Sequence, residues 1–272
     1  VATLPPVHSL VAGIMAGEGV PRLLVQGGTS PHTFVMKPSS ARMLNEAQVV
    51  FWVGPQLEGY LVRPLLSLSE ETRVVELAKA KDSADKFVPV SEHHHADDHE
   101  HDPHIWLDPR KAADLADVIA DALSLADSAN ATLYKKNRDL IIAQLTLLEA
   151  ELLKILSPVS GVPYLVFHDA YGHFQDRFGL VGQGVVARNI DRLPGAQRIS
   201  FLRQKIMDSK IVCIFMEPQF PPTIVKTLIE GTSVRMGILD PLGVGLESGP
   251  SLYSALMQRL ANSFSSCLSA NS

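Results

Sequence analysis

The sequence has no run of lysine and arginine, no long apolar run and only two cysteines. Its formal net charge is −5, and without a basic patch it lacks the electrostatic footprint of a protein that binds nucleic acid or an anionic membrane surface. No apolar stretch approaches the roughly 20 residues that a membrane-spanning helix needs. The opening VATLPP lacks the charged and apolar regions of a signal peptide. Since it resembles the end of a strand, we expect that an upstream segment, such as a signal peptide, has been removed.

The two cysteines, Cys213 and Cys267, lie far outside the CxxC spacing of a thiolate zinc site. A disulfide between them and two free buried thiols are both compatible with the sequence. The disulfide gains support only if the protein is exported to an oxidising compartment.

Residues 91–109, SEHHHADDHEHDPHIWLDP, concentrate histidine and acidic residues. Imidazole nitrogen is the commonest neutral ligand of zinc, so the stretch indicates metal chemistry. Its first part has no apolar periodicity and predicts a mobile loop that acts at best as a flexible chelating arm, with His93, His94, His95, His99 and His101. From Asp102 onward two prolines restrict the backbone, which predicts an ordered turn that positions His104.

Short apolar runs alternate with amphipathic stretches along the chain, which predicts an α/β fold of two (β/α) lobes with mostly parallel sheets. Residues 130–156 contain no proline or glycine, and a helix of that length spans about 40 Å. The periodicity is equally compatible with an ordinary long core helix; we interpret the segment as a rigid helix joining the lobes, with a metal cleft between them. The predicted division is an N-terminal lobe at 1–128, which includes a histidine-rich loop at 91–102, a linking helix at 129–157 and a C-terminal lobe at 158–272.

Three histidines and one carboxylate are predicted to lie just after a strand or in an ordered turn. His32 lies in the loop after the apolar run 22–26, His168 follows the run PYLVF, and Asp240 follows the run SVRMGIL. Open α/β sheets bind ligands beyond the carboxyl ends of their strands. Together with His104, these residues predict a tetrahedral zinc site with three histidines and either Asp240 or a water.

A zinc hydrolase that uses the same site is the main alternative from another class. HExxH is absent, but residues 99–104, HEHDPH, differ from the metallo-hydrolase pattern HxHxDH by one exchange. By placement, only Asp240 or Glu217 is available as a general base.

Five motifs resemble those of the solute-binding proteins of zinc and manganese ABC importers, the cluster A-I group, and are most similar to its zinc-binding ZnuA-like branch. In chain order they are SPHTF, DPHIWLDP, LVFHDAYGHF, MEPQF and GILDPLG. The resemblance covers essentially the whole chain. It implies two lobes joined by one long helix, and a single divalent metal that is bound in the cleft and delivered to a membrane permease.

The resemblance also implies roles for single residues, beginning with His32, His104 and His168 as metal ligands. Asp240 matches a carboxylate ligand of many relatives, although a water or another carboxylate takes that role in parts of the zinc branch. Pro31 stands where some zinc proteins of the family have glutamate. Manganese-preferring members tend to have a carboxylate at the position of His168, so the imidazole favours zinc.

Further features of the chain fit the zinc branch. The acidic histidine loop is typical of it, and Cys213 and Cys267 resemble a disulfide that some relatives carry. We expect Glu217 and Asp169 to support the ligands rather than bind the metal.

We therefore predict a periplasmic, monomeric protein that binds Zn²⁺ without catalysis and passes it to an ABC permease, with no nucleic-acid partner and no organic substrate. The histidine loop is predicted to bind further zinc weakly or to feed His104, and a solvated loop with incidental metal affinity is the other interpretation. The alternatives to the predicted function are the zinc hydrolase, a manganese-binding or adhesin member of the same family, and a free metallochaperone.

Overall fold

Two parallel β-sheets organise the part of the chain that the computed structural model describes, residues 1–26, 28–79, 102–188 and 194–269. The smaller sheet pairs β1 (Val49–Trp52) with β2 (Arg73–Glu76). Around it lie α1 (Pro5–Ile14), α2 (Pro38–Asn45) and α3 (Val62–Leu66). Both α1 and α2 begin with proline, whose fixed φ suits the first turn of a helix.

The strand predicted at residues 22–26 is reduced to an isolated bridge between Leu23 and Ala2. Three backbone hydrogen bonds join this segment to residues 2 and 3. The ladder stops there because α1 begins at Pro5, so its partner turns away. His32 therefore follows a short extended segment rather than a full strand.

The middle of the chain forms two long helices. In α4 (Pro109–Ala126), the side chain of Asp108 caps the amino terminus by accepting a hydrogen bond from Arg110 N at 2.8 Å. The next helix, α5 (Ala131–Leu156), has 26 residues and spans about 39 Å, as the absence of glycine and proline predicts. It packs against α1, α4 and α9 (Leu252–Leu268), and its buried face includes Leu145, Leu148, Leu152 and Leu156.

The larger sheet has the strand order β4-β3-β5-β6, with all pairs parallel. Its strands are β3 (Tyr164–Val166), β4 (Gly182–Val185), β5 (Cys213–Met216) and β6 (Arg235–Ile238). The helices α6 (Gly172–Phe178), α7 (Ala196–Asp208) and α8 (Thr223–Ile229) complete this part of the fold. The alternation of strands and helices confirms the predicted fold class.

Helix α9 packs on this sheet through an aromatic cluster and a disulfide. The ring of Phe264 lies 4.8 Å from that of Phe215 and 5.3 Å from that of Tyr164. Cys213 on β5 is bonded to Cys267 on α9, as the resemblance implied. Gly237 lies beneath this contact, where a Cβ atom would come within 2.5 Å of the Phe215 ring, so only glycine fits.

Among the helices of the described residues, none has both the length and the apolar character to cross a membrane. The strands β3, β5 and β6 run parallel, so the residues that follow them lie at one edge of the larger sheet. Those residues include His168, Glu217 and Asp240.

Candidate metal centre

Three histidines from distant parts of the chain meet at this edge. One possible ligand atom from each of His32, His104 and His168 lies within 4.8 Å of the other two. The ring centroids are 5.6 Å apart for His32 and His104, 5.7 Å for His32 and His168, and 5.3 Å for His104 and His168. His104 and His168 are buried, and His32 is partly buried. The structure thus brings together the three histidines that the sequence predicted.

His104 is held by Asp102, two residues earlier in the chain. Asp102 Oδ1 lies 2.6 Å from Nδ1 of the His104 ring and accepts a hydrogen bond from its backbone N at 3.0 Å. Burial alone would raise the pKa of Asp102, but the hydrogen bonds and charge of His104 outweigh it and lower the pKa to about 2. Because Nδ1 is engaged, the nitrogen that remains for a metal is Nε2.

The turn that carries His104 also forms hydrogen bonds with residues of the C-terminal half of the chain. Trp106 Nε1 donates to Pro241 O at 2.8 Å, and His173 Nε2 lies 2.8 Å from Asp102 O. The guanidinium of Arg177 on α6 contacts both oxygens of Asp108, at 3.0 and 3.1 Å. Contacts on both sides of His104 therefore restrain its position.

His168 is held in a similar way by Glu217, which follows β5. Glu217 Oε1 lies 2.5 Å from His168 Nδ1, and Glu217 is only 1% exposed. Burial lowers the pKa of His168, but the charge and hydrogen bond of Glu217, with Asp102 and Asp169, outweigh it and raise the pKa. A carboxylate on one nitrogen fixes the ring and increases the basicity of the other nitrogen.

His32 is kept neutral by its surroundings. Burial and the proximity of His104 and His168 lower its pKa to about 3, with a small opposing effect of Asp102. Its Nε2 is buried without a hydrogen-bond partner in the structure, and so is Nε2 of His168. Because an unpaired buried polar atom costs about 1–3 kcal/mol, these two nitrogens indicate a partner such as a metal ion.

The donor set fits zinc. Zinc binds imidazole at about 2.0–2.1 Å, which in a tetrahedral site places the nitrogens roughly 3.3 Å apart. Ligand atoms within 4.8 Å of one another reach this spacing by small side-chain movements. The cavity that the three rings line has a volume of only about 10 Å³, so it has room for about one water-sized group.

The predicted carboxylate, Asp240, lies outside the cluster that the described residues form. Its Oδ1 accepts hydrogen bonds from Gln219 Nε2 and from Leu242 N, both at 3.0 Å. Its Oδ2 accepts a hydrogen bond from Val244 N. Asp240 thus shapes the segment 240–244, two residues of which, Pro241 and Leu242, line the cavity.

The remaining predicted site residues have different placements. Asp169 is exposed, beside His168 in the chain. The histidines of the predicted accessory loop, His93, His94, His95, His99 and His101, lie outside the described residues.

Two residues that contribute to this site were missed from the sequence. Asp102 precedes His104 in DPH, and this two-residue spacing is a signal that could have revealed its contact with the ring. Gln219 in MEPQF lines the cavity through an approach of distant segments, for which the sequence carries no local signal.

Comparison with known proteins identifies related sequences over nearly the whole chain. The family described as zinc-uptake complex component A, periplasmic, matches residues 1–267. The high-affinity zinc uptake system protein ZnuA of Brucella suis is 38% identical, over 99% of this chain and 91% of that protein. The protein of the same name from Yersinia pestis is 36% identical, over 98% of this chain and 90% of that protein.

Solved structures share the fold. A crystal structure of ZnuA superposes with a TM-score of 0.82 at 24% identity, covering 98% of both chains. The periplasmic zinc-binding protein TroA of Treponema pallidum also gives a TM-score of 0.82, at 21% identity and 98% coverage of both chains.

Proposed function

Since the chain belongs to the family of the periplasmic zinc-uptake component A, we propose that it captures Zn²⁺ through His32, His104 and His168 and delivers it to an ABC-type importer. The observation that carries the ligand assignment is the convergence of these three rings on one small cavity, with buried, unpaired Nε2 atoms on His32 and His168. Relatives that are 36% to 38% identical are named as zinc uptake proteins.

The chemistry of the ligands supports zinc over manganese. Three neutral imidazoles suit zinc, whereas manganese prefers carboxylate, carbonyl and water oxygen. Both carboxylates nearest to the rings, Asp102 and Glu217, are engaged by Nδ1 atoms. We therefore propose that water rather than Asp240 completes the coordination of zinc.

We propose the periplasm as the site of action and a monomer as the working form. The family description names the periplasm, and the bond between Cys213 and Cys267 fits an oxidising compartment. The proposed division remains 1–128, 129–157 and 158–272, with α5 as the link. We also retain the proposal that the histidines of the loop 91–102 bind additional zinc weakly.

The site does not favour the hydrolase. Each carboxylate near the rings already holds hydrogen bonds: Asp102 contacts His104, Glu217 contacts His168, and Asp240 accepts three hydrogen bonds. A cavity of about 10 Å³ has no room for an organic substrate. We expect the zinc-loaded protein to hydrolyse neither ester nor phosphoester substrates.

Competition with a chromophoric chelator tests the proposal. The purified protein should take one tight equivalent of Zn²⁺ and bind Mn²⁺ at least about a hundredfold more weakly, because manganese lies below zinc in intrinsic affinity and prefers oxygen ligands. Equal affinity for the two metals would contradict zinc capture. In cells, zinc uptake that depends on this protein should disappear when the permease is deleted, and uptake that persists would favour a free metallochaperone.

A further inference from the structure

Gln219 places an unpaired oxygen at the metal cavity. Its side chain lines the same cavity as the three histidines. Its Nε2 donates to Asp240 Oδ1 at 3.0 Å, whereas its Oε1 is buried without a hydrogen-bond partner in the structure. The chain therefore holds a carbonyl oxygen, which can only accept hydrogen bonds, beside the place where the imidazoles converge.

Asp240 fixes the orientation of this amide. Asp240 Oδ1 accepts from Leu242 N and its Oδ2 accepts from Val244 N, so both oxygens act as acceptors. The group that faces Asp240 must then be the NH₂ of Gln219, and the carbonyl points the other way. If the amide were rotated by half a turn, Gln219 Oε1 would face Asp240 Oδ1, and both atoms are acceptors.

A buried carbonyl oxygen without a hydrogen-bond partner is unfavourable, which indicates that a donor joins Gln219 Oε1 in the loaded state. Zinc with three histidine ligands keeps a fourth position for water in many sites. Water bound to zinc is acidified and is a strong hydrogen-bond donor.

We propose that Gln219 Oε1 accepts a hydrogen bond from a water that is the fourth ligand of zinc, and that Asp240 is the positioning residue that orients the amide. This inference rests on the proposed zinc site. In this inference, Gln219 stabilises the zinc complex by holding the bound water in its neutral form. Asp240 orients the amide of Gln219 and does not coordinate zinc.

The proposal has a spectroscopic consequence. A hydrogen bond to the neutral form of an acid opposes its ionisation, so Gln219 keeps the bound water from losing its proton. The variant Gln219→Leu removes the acceptor and keeps an apolar side chain of similar size. In the Gln219→Leu protein, the pKa of the bound water should fall, with an acid dissociation constant that is about fivefold higher, the effect of one hydrogen bond. The dissociation constant of zinc should rise about tenfold.

The experiment uses the full chain with Zn²⁺ for affinity and with Co²⁺ for visible spectra across a pH titration. Gln258→Leu is the matched control because Gln258 Nε2 also donates to a carboxylate, that of Glu151, at an exposed position away from the cavity. The expected result is one tightly bound metal equivalent in every protein, with changed affinity and a changed titration only in Gln219→Leu. Unchanged affinity and an unchanged titration in a folded Gln219→Leu protein would overturn the proposal.

Asp240→Asn provides a second variant in which Gln219 remains. The substituted side chain can donate through its own NH₂, so the amide of Gln219 can turn and present NH₂ to the bound water. Zinc affinity should fall at least as much as in Gln219→Leu. Wild-type affinity in Asp240→Asn would refute the positioning role. If wild type itself bound no tight zinc, the proposed function would fail first, and this outcome is distinct from any effect at Gln219.

Discussion

Glu217 Oε1 lies 2.5 Å from Nδ1 of His168, and this contact leaves Nε2 as the nitrogen that faces the cavity. Glu217 Oε1 and His168 Nδ1 belong to residues that follow two neighbouring strands, β5 and β3. The pair is therefore fixed by the sheet rather than by a flexible loop. His104 and Asp102 form the corresponding pair on the other side of the cavity.

Replacing Glu217 by glutamine should weaken zinc binding about 10- to 100-fold, because residues that orient a ligand typically contribute this much to metal affinity. The number of tightly bound ions should remain one. Asp169→Asn is the control, since it removes an exposed carboxylate beside the same histidine, and it should change the affinity by less than about threefold. Chelator competition measures both, and equal losses in the two variants would contradict the orienting role of Glu217.

At Asp102 an alanine and an asparagine variant should differ. Asp102→Ala loses the acceptor for both Nδ1 and the backbone N of His104, so zinc affinity should fall about tenfold or more. Asp102→Asn retains one carbonyl oxygen and should keep most of the affinity. If the two variants lost affinity equally, the charge of Asp102 rather than its hydrogen bonds would be the important factor.

A third prediction concerns stability and pH at Glu58, which is fully buried and accepts a hydrogen bond from Val53 N at 2.6 Å. Burial raises its pKa from 4.5 to about 7, although hydrogen bonds partly oppose the shift. Between these values the folded chain holds a proton that the unfolded chain has lost, so this stabilisation is complete at low pH and disappears as the pH rises through about 7. The free energy of unfolding should fall by up to about 3 kcal/mol over this range.

Glu58→Gln should remove most of this pH dependence, since glutamine stays neutral and still offers an oxygen to Val53. Urea unfolding of the zinc-free protein at about pH 5 and about pH 8 measures the difference. Glu71→Gln, at an exposed position, should behave like wild type. A Glu58→Gln protein with the full pH dependence of wild type would show that another group is responsible.

The disulfide should matter for stability but not for the metal. Cys213 and Cys267 are separated by 54 positions, and closing a loop of that size stabilises a protein by about 4 kcal/mol in the loop-closure model. The double variant Cys213→Ala with Cys267→Ala should unfold at lower urea concentration and bind zinc with wild-type affinity. Unchanged stability would contradict this, as would a large loss of zinc affinity in the folded protein.

The sequence predicted the elements whose signals are local. The long helix α5 was expected at residues 130–156 and lies at Ala131–Leu156. It could be predicted because the absence of proline and glycine can be read directly from the segment itself. His104 and His168 were placed correctly because a proline-bounded turn and a strand end are equally local features. The strand predicted at residues 22–26 was too long, since the length of a strand depends on its partner as well as on its own residues.

The parts of the site that escaped sequence reasoning depend on tertiary contacts. No local pattern shows that Gln219 and Asp240, which are 21 positions apart in the chain, are joined by a hydrogen bond. That contact depends on how the segments after β5 and β6 approach each other, whereas the hydrogen bonds that Asp240 accepts from Leu242 N and Val244 N span only a few residues. The sequence left open whether Asp240 or a water is the fourth ligand, and in the structure the oxygens of Asp240 accept hydrogen bonds from Gln219 and from two backbone N–H groups.

The central claim is that the three convergent histidines, and not the histidine-rich loop, form the tight site. The most direct test is the number of tightly bound zinc ions, by elemental analysis after dialysis, in a variant that lacks residues 92–101 and in the same variant with His104→Ala. We expect one tight equivalent in the first protein and none in the second. Loss of the tight ion on deleting residues 92–101, or one ion retained after His104→Ala, would contradict the account.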